Sequence, residues 1–336
     1  MKLIDAGGCP LVMEKDDGYG KTTLHYVCSN YAWRSYKDLN IVIMKMIEVG
    51  GQEIVMEKIK CGRTALNWVC ECLRVQDLTF VIMKMIEIGG RKLVQDHRSK
   101  YDGLTILHYA CERKASTQVI LKMIELGGRE LVMRTNGRNY DSGGLTALHY
   151  ACRYNTSTEV ILKMIQLGGQ ELVMNNHDGM TALHYACANK ASIEVVILLV
   201  LVGGCQLVME QTEYGHTALN YAYRYNAPVQ VVKMLERFNS TSVDGEDEET
   251  TKGIIIAFIE GMTINQKRSL LHVAVRNGLK WSIITKLVES NVDDDAVNGY
   301  DSLTGLRLFM IAAIGNYHFS DLSSVYGLMR MSPSAT

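Results

Sequence analysis

Apolar and polar positions along this chain keep time with a helix, and the pattern restarts again and again. Behind Thr146, whose hydroxyl is placed to cap a first turn, Leu148, Ala151 and Cys152 recur at helical spacing. A polar break follows at Arg153-Tyr154-Asn155-Thr156-Ser157. A second helix is predicted from about Glu159 to Leu167. Its apolar residues cover most of its surface, and Glu159, Lys163 and Gln166 form one narrow polar stripe. Gly168-Gly169 ends it, because glycine readily adopts the left-handed conformation at a helix C-terminus. Glu171-Leu172-Val173-Met174 then leads into a turn at Asn176-His177-Asp178-Gly179. The predicted unit is two short antiparallel helices and an extended, turn-bearing connector. Alone, such a unit cannot bury its apolar faces.

The unit is copied throughout the chain. GMTALHYAC at 179–187 returns as GLTALHYAC at 144–152, GLTILHYAC at 103–111, GRTALNWVC at 62–70, GKTTLHYVC at 20–28 and GHTALNYAY at 215–223. The motif threonines Thr22, Thr64, Thr105, Thr146, Thr181 and Thr217 stand 42, 41, 41, 35 and 36 residues apart. Such a period means stacked repeats, and a helical hydrophobic period means a solenoid.

These residues resemble the ankyrin repeat: G-x-T-A-L-H-x-A-C, a second helix ending in glycine, and an Asp-Gly turn. The fold expected from the resemblance is all-α, an ankyrin-repeat solenoid of helix-turn-helix units with short β-turn or hairpin projections. The array covers residues 1–240, a partial repeat at 1–17 followed by six repeats. The partial one starts inside a second helix, since Lys2-Leu3-Ile4-Asp5-Ala6-Gly7-Gly8 aligns with Lys122 to Gly128. An acidic linker is expected at 241–252 and divergent ankyrin-like repeats at 253–336. The terminal Asp301-Ser302-Leu303-Thr304-Gly305-Leu306 module resembles the ends of microalgal ankyrin-repeat families. Where the family has proline after the motif threonine, this chain has alanine at Ala65, Ala147, Ala182 and Ala218, which favours the helix equally well.

Charge and composition narrow the function. With 35 basic and 36 acidic residues, no general field draws the chain to nucleic acid or an anionic membrane. The longest apolar stretch, Val195 to Val202, is far shorter than the roughly 20 residues of a membrane span. Nine cysteines without a secretory signal point to free thiols in an intracellular, cytoplasmic setting.

Three features invite a chemical reading, and each has a plainer one. Lys15 to Thr22 reads KDDGYGKT, yet a phosphate-binding loop needs glycine where Lys15 stands. His25/Cys28, His108/Cys111, His149/Cys152 and His184/Cys187 place two zinc-type ligands on one helical face. The cysteine, however, falls where a small packed residue belongs, and in the family the histidine has a structural hydrogen-bonding role. Met46, Met85, Met123 and Met164 read as core filler. No catalytic constellation, metal site, cofactor site or small-molecule substrate site is expected.

The function expected is non-catalytic protein–protein recognition on the concave face. The rival is a regulatory ankyrin segment of a larger enzyme or channel. By the resemblance, partners are held by turn tips and by the two residues after the first helix's A-C pair. Those residues are Glu112 and Arg113, Arg153 and Tyr154, Ala188 and Asn189, and Arg224 and Tyr225. Counting back from the terminal glycines, Leu198 and Leu201 replace the polar pairs Lys122/Glu125 and Lys163/Gln166. They form a candidate apolar contact patch.

Overall fold

The computed structural model describes residues 2–31, 39–71, 78–95, 103–136, 144–241 and 248–260. The fold is an all-α stack of repeats. It divides into two compact units between Asn189 and Lys190. The terminal module lies outside the described residues, as do the inserts between the helices of the first two repeats and most of the Arg134–Gly144 connector.

The first unit has two rows of helices. The inner row is α2 (Thr23–Tyr31), α4 (Ala65–Glu71), α6 (Ile106–Glu112), α8 (Ala147–Arg153) and α10 (Ala182–Ala188), each packed on the next. The outer row is α1 (Lys2–Met13), α3 (Leu39–Met56), α5 (Thr79–Gln95), α7 (Thr117–Met133) and α9 (Thr158–Met174). Helices of seven residues are unstable alone, so their stability comes from the stack. α6 buries Ile106, Leu107, Ala110 and Cys111, and α7 buries Val119, Ile120, Met123 and Ile124. Met46, Met85, Met123 and Met164 are all at most 3% exposed, core residues as their spacing suggests.

The outer helices depart from the expected unit. The stretch after the glycine pair is helical rather than extended, so α7 runs on to Met133 and α9 to Met174. The second glycine breaks the helix, and a second short helical segment follows it: Gly128 sits at φ 60°, ψ −161°, a region open in practice to glycine alone. The first glycine admits the returning turn. A Cβ at Gly127 would lie 2.4 Å from the Leu131 side chain, which is fully buried. The projection is short: β1 (Asn176–His177) pairs antiparallel with β2 (Met180–Thr181). Asp178 and Gly179 both have positive φ, as a two-residue hairpin requires.

The second unit contains α11 (Ile193–Met209), α12 (Ala218–Arg224), α13 (Val229–Thr241) and α14 (Glu248–Glu260). α14 begins inside the acidic stretch and packs against both α11 and α13. Leu198 is 1% exposed and Leu201 half-buried, whereas Glu125 and Gln166 at the position matching Leu201 are exposed. Among the described residues no helix is long and apolar enough to cross a membrane.

Candidate partner-binding surface

The surface begins with how each inner helix is held. The motif threonine is the N-cap, and the histidine three residues on reaches back to it. In α8, His149 Nδ1 accepts from the Thr146 backbone N–H at 3.1 Å and from its hydroxyl at 2.8 Å. Its Nε2–H then donates to the Asn175 carbonyl at 3.0 Å, and His108 Nε2–H donates to the Leu145 carbonyl of the following repeat at 3.0 Å. Both ring nitrogens are thereby occupied in the neutral imidazole. Burial pushes His25 and His149 down to about 4. In α4 and α12 the place belongs to asparagine: Asn67 and Asn220 accept from Thr64 and Thr217 at 2.8 Å.

The cysteines of these helices are packing groups. Cys28, Cys70, Cys111, Cys152 and Cys187 are buried and unbridged. Burial drives the thiols of Cys70, Cys111 and Cys152 upward, and that of Cys187 to about 12, far from a reactive thiolate. The loop resembling a phosphate cradle is closed on itself. Asp16 Oδ1 accepts from the N–H groups of Tyr19 and Gly20, and Oδ2 from the Tyr26 hydroxyl at 2.6 Å.

α6, α8, α10 and α12 each end in a residue of ordinary φ followed by one in the left-handed region: Lys114, Asn155, Lys190 and Asn226. A backbone bond back to the helix, such as Thr156 N–H to the Ala151 carbonyl at 3.0 Å, closes this turn. The two residues preceding the left-handed one are those singled out in the sequence. Glu112 and Arg113 are half-buried, their charged groups 3.7 Å apart. Arg153 is exposed, its guanidinium carbon 5.6 Å from the Tyr154 ring centre and 6.0 Å from that of Tyr185. Ala188 and Asn189 are half-buried. Asn189 is engaged internally: its side chain donates to the Tyr185 carbonyl, and its carbonyl accepts from the Asn155 side chain. In the second unit Arg224 is exposed, 5.9 Å from the Tyr225 ring, which is itself 42% exposed.

The structure adds residues that the sequence reading passed over. Tyr154 is tilted against Tyr150 with ring centres 6.1 Å apart, and Tyr225 is stacked on Tyr221 at 6.0 Å. The signal was available. The residue after the motif His or Asn is aromatic in all six copies, at Tyr26, Trp68, Tyr109, Tyr150, Tyr185 and Tyr221. Cations lie along this row, with Lys21 Nζ 5.1 Å from the Trp68 ring centre and the Arg63 guanidinium 4.2 Å from it. What this arrangement offers is rigid aromatic area and oriented charge.

Comparison with known proteins agrees with the repeat architecture. Residues 157–247 match the family model for ankyrin repeats in three copies. A solved structure, the Bd0816 predatory endopeptidase from Bdellovibrio bacteriovorus in complex with immunity protein Bd3460, contains a similar chain. The identity is 16% and the TM-score 0.45, over 67% of this chain and 99% of that one. No curated protein matches the sequence.

Proposed function

Because the chain is built of ankyrin repeats, we propose that it is a non-catalytic interaction module that binds another protein at the C-terminal ends of its inner helices. One contrast carries this reading. The G-x-T-A-L-H-x-A-C motif is nearly constant between copies and mostly buried, while the two residues after it change from Glu-Arg to Arg-Tyr to Ala-Asn to Arg-Tyr. Constancy inside maintains the stack, and variety outside distinguishes partners. Tyr154 and Tyr225, each beside an arginine, are of the types enriched among residues that dominate binding energy. Buried, unbridged cysteines suit a cytoplasmic setting.

The test is affinity capture with the intact chain and with its Tyr154→Ala/Tyr225→Ala variant, after circular dichroism has verified equal helix content. Proteins retained by the original chain and lost by the variant are the expected result. An identical set of captured proteins would remove these tyrosines from the binding surface.

A further inference from the structure

Two of the motif helices, α8 and α12, share an arrangement that the general motif does not require. Tyr150, Arg153 and Tyr154 stand at i, i+3 and i+4, and so do Tyr221, Arg224 and Tyr225, which places each trio on one helical face. The other copies carry Ser29-Asn30, Glu71-Cys72, Glu112-Arg113 and Ala188-Asn189 at these positions. In both trios the rings lie against each other, at 6.1 and 6.0 Å, and the guanidinium lies over the second ring, at 5.6 and 5.9 Å. The geometry of one trio is thus reproduced in the other.

Their charge differs from that of their neighbours. Arg63 is neutralised by Glu71, and Arg113 by Glu112. Arg153 and Arg224 are exposed, and among the described residues neither has an ion-pair partner. A guanidinium near an aromatic ring keeps N–H groups free for a second partner, and its fork matches a carboxylate in bidentate fashion. Beside the second trio, the Glu236 carboxylate accepts from the Tyr223 hydroxyl.

We infer that each Tyr-Arg-Tyr trio is a clamp for an acidic side chain, so that the partner presents an Asp- or Glu-rich segment to this surface. This rests on the binding surface proposed above and specifies its chemistry. The test leaves the choice of ligand open. Random linear peptides displayed on phage are selected against the full chain at low salt, and an enriched peptide is then synthesised and titrated. The expected winners are rich in Asp and Glu and weaken as salt rises. They lose about tenfold or more in affinity to the Arg153→Ala/Arg224→Ala variant. The Arg153→Lys/Arg224→Lys variant, which keeps the charge but not the fork, does not restore binding. Winners that lose affinity to Tyr154→Ala/Tyr225→Ala but carry no acidic excess and ignore the arginine changes would overturn the clamp while sparing the surface. Winners indifferent to all these variants would overturn both, and a selection that enriches nothing would overturn the clamp.

Discussion

At the scale of single residues, the neutral state of the motif histidines holds the stack together. Protonating His149 would turn Nδ1 from acceptor to donor and set it against the Thr146 N–H. Desolvation is the main cause of the low values of His25 and His149, and contacts with backbone carbonyls recover only part of the shift. The sign follows from linkage. Both folded values lie near 4 and the unfolded value is 6.5, so the unfolded chain takes up protons first. Stability is complete above pH 6.5 and falls as pH drops through the window between 6.5 and 4, by about 1.4 kcal/mol per pH unit for each group. Thermal melts are therefore expected at lower temperature at the acidic end of that window. The His25→Asn/His149→Asn variant, which adopts the side chain native at Asn67 and Asn220, should show a shallower pH slope. A slope unchanged in the variant would contradict this assignment.

At the scale of elements, the helix pairs were legible because their periodicity extends over several turns, and the hairpin because Asp178-Gly179 is a strong turn signal. The helical turn after each glycine pair was not legible. The glycine pair does interrupt the helix, as read, but Glu-Leu-Val-Met is too short to reveal the period of the segment that follows. After the break at Gly128 the chain packs back on itself: a Cβ on Gly127 would lie 2.4 Å from the Leu131 side chain. Gly128→Ala is expected to cost about 1–3 kcal/mol, the usual penalty for forcing an L residue into such a region. Chemical denaturation should show a lower midpoint. A midpoint within error of the original would mean that the backbone can avoid this conformation.

For the whole molecule, the all-α stack was readable because one motif recurs in register, and the buried side of that motif is what the stack needs. The candidate surface was only half readable. Arg153, Tyr154, Arg224 and Tyr225 follow from their place after the A-C pair. Their underlying rings, Tyr150 and Tyr221, belong to the motif itself and so passed as scaffold, although they lie against Tyr154 and Tyr225. The polar-to-apolar change at Leu198 and Leu201 was visible in the sequence. That chain beyond the acidic stretch covers this helix was one of the alternatives the sequence left open; that a helix starts at Glu248 was not visible, because Glu246 to Glu249 reads as solvated chain while Ile254, Ile255 and Ile259 beyond it are buried. The measurement that bears most directly on the proposed function is hydrogen exchange of the intact chain, alone and saturated with a captured partner. Slower exchange at residues 150–155 and 221–226, with the outer helices unchanged, is the predicted result. Protection confined to the outer helices, with both inner-helix ends exchanging as in the free chain, would contradict it.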